Sequence, residues 1–398
     1  MPVTRTSDFR SGDRIVLVGT MKGAFLYRGR GKAYQRVGEL RFAGQPVYAM
    51  AYDDRGGRVR LFAGTEHPHF GSVLRASDDL GRSWSEPQEP NVKFPPDTEL
   101  SLKQIWQIAP GRADEPEVLY LGVSPSSLFE SKDGGQSFSL VRSLHDHPHR
   151  PKWTPGGGGL CLHTILAHPK EKRSMLVAMS TGGVYRTTDG AMSWHASNSG
   201  IRAEFLPDKH PEFGQCVHKV VRNPARPDRY FLQNHWGLYR SDDGGASWKD
   251  VANGVPSDFG FAMVGHPHDP DTVYIVPLQS DEFRCTPEAR LRVYRTRDAA
   301  RSWQPLTRGL PQKDAWETVL RDALTTDTAD PAGVYFGTRS GKLFASQNDG
   351  GSWECLADGL PPVTCVRAAV IGGVAPVAAV RSRKARPAAS RARGRRSR

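Results

Sequence analysis

One ten-residue stretch, Tyr239-Arg240-Ser241-Asp242-Asp243-Gly244-Gly245-Ala246-Ser247-Trp248, recurs along the chain. Further copies lie at residues 77–84, 131–138, 187–194, 296–303 and 346–353, with the shared pattern Ser/Thr-x-Asp-x-Gly-x-Ser-aromatic. The third position falls at Asp79, Asp133, Asp189, Asp243, Asp298 and Asn348, so successive copies stand 54, 56, 54, 55 and 50 residues apart. Self-similarity at a fixed period marks a repeat architecture, in which one supersecondary unit is stacked on its neighbours to share a core.

The letters of the copy have a physical reading. Short apolar runs flank it, so the Asp and Gly form a tight turn between strands. Asp accepts backbone N–H groups inside the turn, and Gly takes the positive φ that the turn requires. The terminal aromatic folds back as a hydrophobic anchor. These acids are therefore read as turn builders, not as catalytic groups.

The strands follow from the same alignment. Residues 14–20 (RIVLVGT) end in Gly-Thr, and the equivalents are 59–65, 118–124, 175–181, 230–234, 273–278 and 334–338. Each is followed by a short strand and a repeat turn. The first unit keeps the strands and loses the turn's letters at 24–34. A further strand precedes each unit, at 47–52, 102–109, 160–167, 216–222, 261–265 and 319–324. Several of these end in a turn signal such as His168-Pro169 or Asn223-Pro224. Seven units of four strands predict an all-β, seven-bladed propeller of antiparallel blades. The first unit lacks its innermost strand, and residues 363–370 (VTCVRAAV) supply one at the other end. We expect this strand to close the ring and remove the exposed edges.

The repeat resembles the Asp-box of sialidases, of some glycoside hydrolases and of sortilin-type receptors. In those families the box lies on the outer hairpin of a propeller blade, away from the active site. More closely, the chain resembles bacterial single-propeller proteins of sialidase-like or glycosyl-hydrolase-like type. That resemblance implies a glycan or another small polar ligand. Sialidases hold the sugar carboxylate with three arginines and carry an early Arg-Ile-Pro motif. Here the motif is absent, Arg14-Ile15-Val16 lies within a strand, and only Arg321 and Arg339 stand in suitable places. No catalytic residue is carried over from sialidases.

Composition bounds the rest. The expected domains are an N-terminal extension (1–12), the propeller (13–376) and a basic tail (377–398). The formal charge of +12 is concentrated in residues 381–398, and removing the nine Arg and Lys found there leaves +3. The tail has almost nothing to bury and is expected to be disordered. It would meet nucleic acid only non-specifically, through phosphates. No apolar window is long enough to span a membrane. The N-terminus lacks an apolar signal core, and a cytoplasmic monomer is expected. The odd count of five cysteines argues against a disulfide framework. Cys161 and Cys216 occupy matching places and are read as small buried hydrophobes.

Three insertions, at 143–159, 201–214 and 279–290, all map to the face opposite the repeat turns, where loops usually carry function. That face gathers Lys22, Glu66, His67, His69, His235 and Arg339 from the loops. Aligning the innermost strands puts Gln104, His163, His218, Phe261 and Arg321 at one level around the axis, with Lys103, Lys219 and Asp322 beside them. A divalent metal is one reading of so many histidines, although no local spacing such as HExxH supports it. Glycoside hydrolysis is another, for which Glu66 and Asp322 are the candidate catalytic carboxyls, with Asp281 and Glu282 nearby. Trp106, Trp153, Trp236 and Trp316 are available to stack on sugar rings. The alternative is a non-catalytic, protein-binding assembly scaffold.

Overall fold

Residues 9–373 are described by a computed structural model. They form seven antiparallel sheets whose innermost strands pack against one another around a common axis. In blade order these strands are Val363–Val370, Val47–Asp53, Gln104–Pro110, Leu162–Ala167, Val217–Arg222, Gly260–Gly265 and Leu324–Thr326. The last packs against the first, so the ring is closed. Residues 9–12 of the expected extension are described. The expected tail, 377–398, lies outside the described residues.

Closure is made as the alignment predicts. Val363–Val370 pairs with Arg14–Thr20 from end to end apart from Thr364, Arg14 facing Val370 and Thr20 facing Val363. Gly12 donates its N–H to the Ile371 carbonyl, and Ile371 returns a bond to Asp13, so both described ends are tied into one blade.

Six sheets have four strands, and blade two has three: Val47–Asp53, Arg60–His67 and Gly71–Ser77. Its outer position is filled by a side chain. The Asn91 amide accepts the Leu74 N–H at 3.1 Å and donates to the Leu74 carbonyl at 2.8 Å. Pro87 and Pro90 precede Asn91, and proline has no N–H for a ladder.

The repeat turns share one bonding scheme. In blade five, Ser241 Oγ and the Ser247 N–H both donate to Asp243 Oδ1, at 2.7 and 3.0 Å, and Ser247 Oγ donates to Oδ2 at 2.6 Å. Partial burial would raise the Asp243 pKa, but these bonds outweigh it and bring it to about 2. In blade seven Asn348 does the same with its carbonyl oxygen and donates its amide to Ser352 Oγ at 3.1 Å. Gly244 and Gly245 take φ of 71° and 88°, which an L side chain resists. The Trp248 ring is buried, and its Nε1–H donates to the Ser197 carbonyl of blade four at 2.8 Å. Trp194 and Trp303 likewise donate their Nε1–H groups back, to Ser143 Oγ at 3.1 Å and to the Val251 carbonyl at 3.1 Å. Between blades four and five, Leu176, Val184, Val217, Leu232, Tyr239 and Trp248 fill the gap. No helix among the described residues is long and apolar enough to cross a membrane.

Candidate functional site

The innermost strands of blades one to six share an irregularity at their starts. In each, the register against the second strand slips and leaves one residue without a partner. These residues are Thr364, Tyr48, Trp106, His163, His218 and Phe261. A bulge of this kind re-aims a side chain and is common next to binding sites. In blade seven the innermost strand begins late, at Leu324, and Arg321 and Asp322 precede it. His163, His218 and Phe261 are therefore on the expected level. Gln104 is not: it opens its strand opposite Ser124, and Trp106 takes the level instead. Tyr48, absent from the sequence alignment of that level, stands beside Trp106 with ring centroids 5.7 Å apart.

Several of these residues join blades. His163 Nε2 bonds the Val217 carbonyl at 2.9 Å, and His218 Nδ1 bonds the Gly260 carbonyl at 2.6 Å. Thr364 donates its hydroxyl to the Val47 carbonyl. Each acceptor is the first residue of the next blade's innermost strand. Burial, with Arg321 as the next cause, holds both imidazoles well below their ordinary pKa and hence neutral. His163 is fully enclosed, which corrects its expected place as a ligand-facing group. Its removal would unmake a joint.

Arg321 donates through Nε to the His218 carbonyl and through Nη2 to Ser180 Oγ at 3.3 Å, and its guanidinium lies 5.4 Å from the Trp106 ring. Asp322 is enclosed, with Lys219 Nζ at 2.8 Å and Arg367 Nη2 at 2.6 Å. Burial alone would raise its pKa, but the two cations bring it to about 2. An ionised, doubly paired carboxylate has no proton to give and little freedom to attack. This geometry gives Asp322 a structural place and separates it from the pair proposed with Glu66.

Glu66 lies at the end of Arg60–His67, half-buried, with its N–H on the Pro46 carbonyl at 3.1 Å. Burial raises its pKa. Tyr48, itself pushed up by burial, feels the charges of Glu66 and Arg339. Lys22 is exposed in the turn between Arg14–Thr20 and Gly23–Arg30, its N–H on Thr20 Oγ1 at 3.2 Å.

The histidines do not converge as one cluster. His67 Nδ1 accepts the N–H groups of His69 and Phe70, both at 3.1 Å, and its Nε2 lies 3.5 Å from Glu86 at the rim of blade two. His69 is exposed beside Phe70. In the first insertion, His145, His147 and His149 bond Ser127 Oγ, the Trp194 carbonyl and the Tyr185 hydroxyl, which makes them packing groups. His235 does come to the axis. Its ring lies 5.4 Å from that of His218, and its Nε2 is 3.1 Å from Asp281 Oδ2. Cys216 Sγ is 3.7 Å from His218 Nε2. Residue spacing hid this cysteine, because its partners come from a bulge and a loop.

The other two insertions bring aromatics to the same face. Phe205 stands against Trp236 at 5.2 Å and Phe283 against Trp316 at 6.1 Å. Phe205, Phe283 and Trp316 are 46%, 55% and 59% exposed. Trp153 is instead buried, its Nε1–H on the Tyr185 hydroxyl at 3.0 Å. A cleft of about 800 Å³ opens elsewhere, at the rim where blade two lacks its outer strand. Several of its charges are paired with one another, Lys93 with Glu89 at 2.7 Å and Arg58 with Glu117, as in a solvated gap.

No protein-family model matches the chain. It is similar to xyloglucanase propellers. An oligoxyloglucan-reducing end-specific xyloglucanase of Emericella nidulans is 26% identical over 230 residues, which is 53% of this chain and 25% of that protein. A xyloglucanase of Hypocrea jecorina is 24% identical over 298 residues, 66% of this chain and 31% of that one. The chain thus spans a quarter to a third of the curated relatives it matches. Among solved structures, an ancestral GH74 enzyme superposes with a TM-score of 0.52 at 16% identity, covering 78% of this chain and 38% of its own. YCF48 bound to a D1 peptide gives 0.51 at 16%, covering 89% and 86%. These structural likenesses concern the fold.

Proposed function

We propose that this glycoside-hydrolase-like propeller binds a saccharide chain across its axial face. The observation that carries the reading is the pair of aromatic couples, Phe205–Trp236 and Phe283–Trp316, beside a polar axis, with Phe205, Phe283 and Trp316 exposed and Trp236 half-buried. Apolar sugar faces stack on such rings, while Arg321, Arg339 and Lys22 offer hydrogen-bond donors. Glu66 is the carboxyl whose burial favours the protonated form, which suits a general acid. The likeness to xyloglucanases supports a β-glucan-type backbone as the first ligand to try.

A second reading, a peptide-binding scaffold, is favoured by one observation. Asp322 and Asp281 are both engaged, with Lys219 and Arg367 and with His235, so neither is a free partner for Glu66. The deciding experiment is calorimetric titration with xyloglucan oligosaccharides, followed by a reducing-end assay. Binding that weakens at least about tenfold in Trp316→Ala supports the saccharide reading. Turnover lost in Glu66→Gln with binding kept adds hydrolysis. No binding by the wild-type chain across the panel overturns the reading and leaves the scaffold.

A further inference from the structure

We propose that Cys216, His218 and His235 form a site for a divalent transition metal of borderline softness, for which Zn²⁺ is the fitting probe. The Cys216 sulfur and one ring nitrogen from each histidine all lie within 4.8 Å of one another. The edge between Cys216 Sγ and His218 Nε2 measures 3.7 Å. With Zn–S of about 2.3 Å and Zn–N of about 2.0 Å, two ligands of a tetrahedral zinc stand about 3.6 Å apart. This edge therefore matches the ligand spacing of a tetrahedral zinc.

The ligands are also held in orientation. His218 is the unpaired residue of its bulge, and its Nδ1 is committed to the Gly260 carbonyl at 2.6 Å, which leaves Nε2 turned to the cysteine. His235 is braced by Asp281 at 3.1 Å, and its own N–H donates to the Cys216 carbonyl at 2.9 Å. Carbonyl and carboxylate partners on the far side of ligating imidazoles are the usual means of fixing ring and tautomer. All three ligands come from one blade, two from the start of its innermost strand and one from the loop after its second. Phe259 and Phe261 wall the histidines, with ring centroids 4.6 to 5.4 Å away. Sulfur and imidazole donors select zinc-like metals over Ca²⁺ and Mg²⁺, which want oxygen.

Three protein ligands leave a fourth position. Cys216 and His235 are half-buried, so that position opens to the axial face, as in catalytic zinc sites. Arg321, on the His218 carbonyl, and Arg284, 5.5 Å from the Phe261 ring, stand next to it. They suit a bound water or an anionic oxygen there. The inference does not depend on the saccharide reading.

The test uses the purified full chain, stripped with a chelator and titrated with Zn²⁺, with Co²⁺ as a spectroscopic probe. The expected results are one equivalent bound, a thiolate-to-cobalt charge-transfer band, and protection of Cys216 from alkylation in peptide mapping. Cys216→Ser and His235→Ala should each lose the equivalent while keeping the far-ultraviolet circular dichroism of the fold. Asp281→Asn should weaken binding by about 10- to 100-fold. His218 is left intact because it joins two blades. Absence of the thiolate–cobalt band, or one equivalent still bound by Cys216→Ser, overturns the proposal.

Discussion

The Lys219 ammonium lies 2.8 Å from the Asp322 carboxylate and ties blade five to blade seven, although the two residues are 103 apart in sequence. Arg367 of blade one reaches the same oxygen at 2.6 Å. One enclosed acid therefore holds three blades at the axis. Asp322→Ala would leave two cations without a counter-charge, and breaking one partner of such a group costs roughly 3–5 kcal/mol. Urea unfolding at neutral pH measures this. The sign with pH follows from a pKa held at about 2 against an ordinary value of 3.8. The contribution is fully present above the unfolded value and is lost as pH falls through the folded one. Wild-type stability should thus drop between about pH 4 and 2, and this component of the drop should be absent from the variant. An unchanged midpoint in Asp322→Ala would remove the axial lock from the account.

Ring closure makes a second prediction. A chain ending at Pro362 lacks Val363–Val370 and exposes the Arg14–Thr20 edge that this strand covers. Unpaired edges template aggregation. The shortened chain should be insoluble or expanded by size-exclusion chromatography, whereas one ending at Lys384 should match the full chain. A soluble Pro362 chain with full unfolding cooperativity would show that the remaining strands suffice.

The period, the blade count and the closing strand were legible because turn chemistry and alternation are local. The repeat turn demands Asp, small residues and an aromatic, and it writes them at every copy. The axial level was less legible. A bulge adds one residue without leaving a sequence mark, so Trp106 replaced Gln104 and Tyr48 went unseen. The charge state of Asp322 depends on Lys219 and Arg367, which arrive from two other blades. His218 and His235 were placed on the axial face from the sequence, whereas Cys216 was read as a buried hydrophobe, because its place beside them depends on the bulge at His218.

Blade six departs from the turn's own rule and yields a third prediction. Where other copies carry glycine at one or both left-handed positions, it has Ala299 and Ala300, at φ of 59° and 63°. A left-handed L residue costs roughly 1–2 kcal/mol. Glycine removes that cost but loosens the unfolded chain by about 0.4–1 kcal/mol per site. The double change Ala299→Gly with Ala300→Gly should therefore stabilise the protein by about 1 kcal/mol, read as a raised urea midpoint at unchanged slope. A lowered midpoint would mean that the two methyl groups contribute more in packing than the backbone loses in strain.

Glu66 gives the fourth. Its pKa is raised by burial, so ionising it in the folded state is unfavourable. For an acid shifted upward, stability is lost as pH rises from the unfolded value through the folded one. Glu66→Gln removes the charge and keeps the shape. The variant should melt above the wild type at pH 7, and the two should coincide once the carboxyl is protonated in both states, below about pH 4. In the proposed saccharide site such a carboxyl would be the general acid. If Glu66→Gln melts below the wild type at pH 7, the carboxylate is instead a structural partner, and its place in the proposed saccharide site falls with it.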